Sequence, residues 1–193
     1  MTDRTNRGIG RRGLLLGAGA FALAAPGIVS AQSLSGNIAR RNMSAFKMQR
    51  WEDHFEQLGR VTLVADTQGR ALHWWSADGS DYRMYPTSVP MTEELTRRGY
   101  TEVVRKAVAP TWRPTASMLE RDPTLPRVVE GGDPLNPLGT HAMYLSWPAY
   151  LIHGTQDTRK IGRRSSSGCI GTYNELIAQI YEITPVGAQV RLV

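Results

Sequence analysis

Proline and glycine recur too closely in this chain for long helices to dominate it. Every proline except Pro26 lies beyond residue 85, and glycines break up most apolar runs from residue 60 onward. Proline removes a backbone donor and fixes φ, and glycine weakens helix interiors, so the segments between them are short. Those segments are rich in β-branched and aromatic residues. Val61-Thr62-Leu63-Val64 and Arg70-Ala71-Leu72-His73-Trp74-Trp75 flank Asp66-Thr67-Gln68-Gly69, which reads as a hairpin turn. Asp78-Gly79-Ser80-Asp81 is a second turn, ahead of a strand at Tyr82–Tyr85. Thr101–Ala107 reads as a strand with Val103, Val104 and Val108 available for burial, and Ala142–Leu145, Tyr150–Ile152 and Gly187–Val193 as further strands. Thr92–Arg98 and Ser117–Arg121 suit one or two helical turns. Thr172-Tyr173-Asn174-Glu175 has the capping-box form, followed by Leu176, Ile177, Ile180 and Tyr181 on one helical face. The expected fold is mainly β (α+β) with one good helix near its end.

Two other segments stand apart. Residues 122–139 hold Pro123, Pro126, Pro134 and Pro137 with three glycines, a long loop of the kind that forms lids or site walls. In residues 32–59, Met43, Phe46, Trp51, Phe55 and Leu58 recur near helical spacing, which predicts a helical lead-in before a domain at 60–193.

The formal charge of +6 is unevenly spread. Residues 1–31 carry Arg4, Arg7, Arg11 and Arg12 against Asp3, so half of the excess sits in the first sixth of the chain. Arg11-Arg12 directly precede the apolar run Gly13–Ala25, which is too short to span a bilayer and is followed by Val29-Ser30-Ala31. This is the pattern of a twin-arginine export signal cut after Ala31, with a periplasmic destination. No run reaches 18 apolar residues, so no ordinary spanning helix is expected. The remaining 19 Lys+Arg against 16 Asp+Glu are too evenly matched to argue for nucleic acid as a partner.

Cys169 is the one cysteine. A single thiol excludes an intramolecular disulfide and a multi-cysteine zinc site, and the four histidines show no metal-ligand spacing. Neither metal nor cofactor is expected. His73, within a strand, reads as structural; His141 reads as able to line a cleft, and His54 lies in the lead-in. His153 follows Tyr150-Leu151-Ile152, where a strand is expected to end. Cys169 closes Ser165-Ser166-Ser167-Gly168-Cys169, just before the expected helix, whose dipole would favour thiolate. A thiol and an imidazole within reach of each other make a nucleophile–base pair. The tryptophans could instead stack on sugars, although packing explains most of them.

Ile152-His153-Gly154-Thr155, Ile161-Gly162, Ser166-Ser167-Gly168-Cys169-Ile170 and Asn174 together resemble the active-site signature of the L,D-transpeptidase catalytic domain (YkuD-type). Gly132-Asp133-Pro134-Leu135-Asn136-Pro137-Leu138-Gly139 resembles that family's Asn-Pro-Leu-Gly loop, and the likeness covers about residues 60–193. It implies a twisted β-sandwich or barrel-like domain that cross-links peptidoglycan stem peptides. It implies Cys169 as nucleophile, expelling D-Ala from an L,D bond, and His153 as general base and acid. The Gly154 carbonyl would orient the imidazole, and backbone N–H groups at Gly168 and Cys169 would polarise the oxyanion. A carbapenem adduct on Cys169 is a further expectation.

The chain departs from the family pattern twice. Ser167 stands where many members have histidine; it can still donate a hydrogen bond in support of the oxyanion. Gly171 stands where many have an arginine able to hold a carboxylate; Arg163 or Arg164 could substitute. Thr155, Gly171 and Asn174 complete the candidate substrate-contacting set. Two alternatives are open on sequence: an L,D-carboxypeptidase or amidase that hydrolyses the same acyl-enzyme, and a non-catalytic cell-wall-binding domain with an inert thiol.

Overall fold

The computed structural model describes residues 46–193; the leader at 1–31 and positions 32–45 of the lead-in lie outside the described residues. From Val61 the turn chemistry acts as expected. Asp66 Oδ1 accepts from the backbone N–H groups of Gln68 and Gly69, at 2.9 and 2.8 Å, and reverses the chain between β1 (Val61–Asp66) and β2 (Ala71–Ser76). A second turn around Gly79, with φ of 73°, leads into β3 (Tyr82–Pro86). The short β4 (Val89–Pro90) and the long β5 (Gly99–Val108) follow, then helix α1 (Ala116–Arg121). The chain continues through β6 (His141–Leu145), β7 (Leu151–Thr155), β8 (Arg164–Ser166), β9 (Ile170–Tyr173), helix α2 (Asn174–Ile183) and β10 (Gln189–Leu192).

Eight of these strands form one sheet in the order β3-β2-β1-β10-β5-β6-β7-β9, while β4 pairs with β8. The edge strands are drawn towards each other. Ser88, two residues past β3, bridges to Gly171 of β9, and Thr172 Oγ1 donates to the Pro86 carbonyl at 2.8 Å. The sheet is therefore nearly closed, as the mainly β, barrel-like expectation requires. Helix α2 puts Ile177 and Ile180 into the same apolar cluster as Leu63, Leu72, Val103, Met143, Ile152 and Val190. Trp74 Nε1 in that core donates to Thr184 Oγ1 at 3.1 Å, which fixes the end of α2 to β2.

Four expectations need correction. Over 46–59 the lead-in makes only a 3-10 turn at Trp51–Asp53. Its carbonyls are taken by strand side chains instead of a helical ladder: His54 O accepts from Tyr100 OH and Arg191 Nη1, and Gln57 O from Gln189 Nε2. Thr92–Arg98 forms bends and not a helix; Thr96 Oγ1 takes the Thr92 carbonyl, and Glu93 pairs outward with Arg98 and Arg164. Val103 is buried, but Val104 and Val108 are 45% and 62% exposed. The β5–β6 register slips between Val103 and Arg105, so the inside–outside alternation breaks there. The capping box does not form, because Thr172 belongs to β9 and its hydroxyl is spent on Pro86.

Candidate active site

His153 lies within β7 and not at its end. Its Cα partners are Ala142 on β6 and Gly171 on β9. The parallel β7–β9 register pairs Ile152 with Ile170, so Cys169 stands opposite Leu151 on the strand face shared by His153. A 16-residue separation in sequence becomes one strand across and two residues along. Both side chains line one cavity of about 790 Å³.

The loop expected at 122–139 forms one wall of that cavity through Leu125, Val128, Leu135 and Leu138, with Trp112 and Met118 beside it. Trp112 and Val129 form an isolated bridge at the base of the loop. Asn136 fixes the wall. It is fully buried, its amide nitrogen donates to the carbonyls of Pro110, Val129 and Glu130, and its oxygen accepts from Leu138 N–H. One side chain thus satisfies a loop interior that has no ladder of its own. Trp74, Trp75 and Trp147 are buried, so no tryptophan stripe is available for sugars there.

The electrostatics of the pair differ from the sequence reading. Burial pushes the Cys169 thiol up to about 11, against a smaller lowering by a backbone bond from Leu151. The expected dipole effect is absent because β9 intervenes between Cys169 and the start of α2 at Asn174. Burial likewise pulls His153 down to about 4, with the nearby Lys160 charge acting in the same direction. Both shifts favour a neutral thiol beside a neutral imidazole. His153 Nδ1–H donates to the Gly154 carbonyl at 2.5 Å, which leaves Nε2 as the ring's acceptor. The thiol donates to the Ala149 carbonyl at 3.4 Å. Such a pair is suited to attack coupled with proton transfer, not to a preformed thiolate.

The other candidates divide. Thr155 and Ser167 line the cavity with Cys169 and His153. Gly168, with φ of 134°, turns the chain into Cys169, and its N–H points to Ser166 Oγ at 3.4 Å. Gly171 is buried beside the ring; a Cβ there would stand 3.5 Å from His153 Cε1 and 2.6 Å from Ser88 Oγ. Asn174 sits behind the site. Its Oδ1 accepts from Thr140 N–H, and its Nδ2 donates to Gln156. Arg163 is exposed and off the cavity, and Arg164 is bound to Glu93 at 2.8 Å. His141 is also off the cavity, paired with Thr140 Oγ1. Ser88, Arg121 and Lys160 line the cavity without having been singled out. Ser88 lies in an irregular stretch, and Arg121 and Lys160 each end a short helical segment, so no motif marked them. Among the described residues no cluster of three potential metal ligands occurs.

With this geometry established, the chain was compared with known proteins. The family model for the L,D-transpeptidase catalytic domain (YkuD) matches residues 60–192. A Fuscovulum blasticum protein named as an L,D-transpeptidase is 55% identical over 193 residues, the full length of both. Two solved structures share the fold. An L,D-transpeptidase from Mycobacterium smegmatis aligns with a TM-score of 0.54 at 21% identity, over 69% of this chain and 58% of that one. L,D-transpeptidase 3 from Mycobacterium tuberculosis, solved with a faropenem-derived adduct, aligns with a TM-score of 0.53 at 17% identity, over 68% of this chain and 59% of that one.

Proposed function

Because this chain belongs to the L,D-transpeptidase family, whose members act on peptidoglycan, we propose that Cys169 and His153 carry out its acyl transfer on stem peptides. The carrying observation is the shared cavity, in which the thiol and an imidazole with a free Nε2 occupy one strand face.

The Cys169 sulfur attacks the carbonyl carbon on the L-centre side of an L,D bond while His153 Nε2 takes the thiol proton. The backbone N–H of Cys169 stabilises the oxyanion, with that of Gly168 turning from Ser166 Oγ to join it and Ser167 beside them. The tetrahedral adduct collapses, the C–N bond breaks, and His153 returns the proton to the departing D-amino acid. His153 then deprotonates an acceptor amine, which attacks the thioester and releases the thiol. Thr155 contacts the donor from the β7 end. The neutral resting pair lets the proton move only when substrate is present.

Cys169→Ala should abolish cross-linked product from purified muropeptides, read by mass spectrometry, while circular dichroism stays unchanged. Product formation by that variant would remove Cys169 from the mechanism. Omitting the acceptor separates transfer from hydrolysis to a shortened peptide. A carbapenem should add its mass to Cys169; the mycobacterial neighbour carries an adduct derived from faropenem, a penem and so a related β-lactam. Residues 1–31 are read as a twin-arginine address to the periplasm, where stem peptides are met. Replacing Arg11 and Arg12 by Lys should leave a tagged protein in the cytoplasm; unchanged export would overturn the address.

A further inference from the structure

Gly171 offers the site no side chain, and neither Arg163 nor Arg164 reaches the cavity. The lining does contain two cations, Arg121 and Lys160. Lys160 stands on the His153 side. Arg121 closes the other side, from the last position of α1, and its Nη2 donates to Ser167 Oγ at 3.1 Å.

Arg121 forms no ion pair with the acids of the lining. Arg98 and Arg164 pair with Glu93, and Arg159 pairs with Asp157, while the recorded partner of Arg121 is a neutral hydroxyl. The three acids of the lining are engaged in their own loops. Asp122 accepts from Thr124, Glu130 from Thr111, and Asp133 from Leu135 N–H. A planar guanidinium held at a hydroxyl keeps further N–H donors for a second acceptor, and its fork matches a carboxylate.

We propose that Arg121 binds the free carboxylate of the terminal D-amino acid of the donor peptide, the residue that leaves. This rests on Cys169 being the nucleophile. Ser167 is two residues before Cys169, so their Cα atoms are at most about 7 Å apart. The carboxylate carbon of the leaving residue is three bonds beyond the scissile carbonyl carbon, within about 4 Å of it. A carbonyl placed at the thiol leaves that carboxylate within reach of Ser167, where the guanidinium stands. Arg121 substitutes, from the wall helix, for the side chain that Gly171 lacks. It makes the enzyme select donors ending in a free D-carboxylate.

The test compares muropeptide donors ending in D-Ala and in D-Ala carboxamide, with wild type, Arg121→Gln and Arg121→Lys. Wild type should prefer the free acid in kcat/KM by about 10- to 100-fold, the effect of a charge-assisted hydrogen bond. Arg121→Gln should erase that preference, and Arg121→Lys should restore part of it. A preference kept by Arg121→Gln, or absent from wild type, overturns the proposal. A second readout needs no peptide turnover: the rate ratio of Cys169 alkylation by iodoacetate over iodoacetamide should fall in Arg121→Gln. If that ratio falls while neither donor is consumed, the anion site stands and the transpeptidase reading fails. An unchanged ratio overturns the anion site.

Discussion

The ring Nδ1–H of His153 donates to the carbonyl of Gly154, its own neighbour in the chain. A carbonyl can only accept, so the bond fixes the tautomer with no carboxylate involved. No negative charge accompanies the ring into the core, and burial depresses its basicity. The Gly154 bond itself acts to raise the ring's basicity, but burial outweighs it and favours the neutral base.

The acid limb of kcat/KM should therefore lie well below the ordinary histidine value of 6.5, towards the value of about 4 set by burial. Donor turnover followed from neutral pH downward checks it, with circular dichroism confirming that the protein stays folded at each point. A limb centred near 6.5 would show that the ring is protonated as an ordinary imidazole and that its burial has no catalytic consequence.

Stability should fall over the same interval. His153 and His73 are both held to about 4 by burial, below the 6.5 of the unfolded chain. Between those values the unfolded state binds more protons. Stability is thus complete above 6.5 and is lost as the pH falls towards 4, by up to about 1.4 kcal/mol per pH unit for each histidine. Urea midpoints measured across the interval read this slope. His73→Phe should lessen it, since His73 Nε2 is buried without a hydrogen-bond partner.

Gly154 should tolerate no side chain. A Cβ there would stand 2.3 Å from Asn174 Oδ1 and 2.9 Å from Ile177 Cγ2. Gly154→Ala is expected to cost about 1–3 kcal/mol through overpacking. Asn174→Ala in the same chain should return part of that loss, because the oxygen in the way is removed. A double variant no more stable than the additive sum would mean that the strain lies in the backbone.

Asn136→Ala should loosen the cavity wall. It strips donors from the Pro110, Val129 and Glu130 carbonyls and an acceptor from Leu138 N–H. Each buried group left unpaired costs about 1–3 kcal/mol. Hydrogen exchange should accelerate at residues 129–138 and much less in β1 or β10. Uniform acceleration through the sheet would show that the loop and the barrel unfold together.

The order of strands was legible where turn residues act locally, as at Asp66 and Gly79, and the shared cavity of Cys169 and His153 was foreshadowed by their motif. What could not be read was competition for hydrogen-bonding groups by residues distant in sequence. The carbonyls of His54 and Gln57 are claimed from β5 and β10, which defeats a helix whose apolar spacing was sound. Thr172 is drawn away from its capping role by Pro86. The thiol was read as dipole-activated because nothing in the sequence around Cys169 shows that a strand, not a helix, comes next. Arg121 and Arg164 look equivalent as letters; only the position of Glu93 separates the committed cation from the available one.

The place of β10 has a consequence for the site. This strand lies between β1 and β5, parallel to one and antiparallel to the other. The strand that comes latest in the sequence of the domain thus joins the β3-β2-β1 ribbon to the β5-β6-β7-β9 half bearing His153 and Cys169. Without β10 the two halves share no strand pairing within the sheet. The two halves that hold the site are therefore joined through a strand that itself lies outside the site.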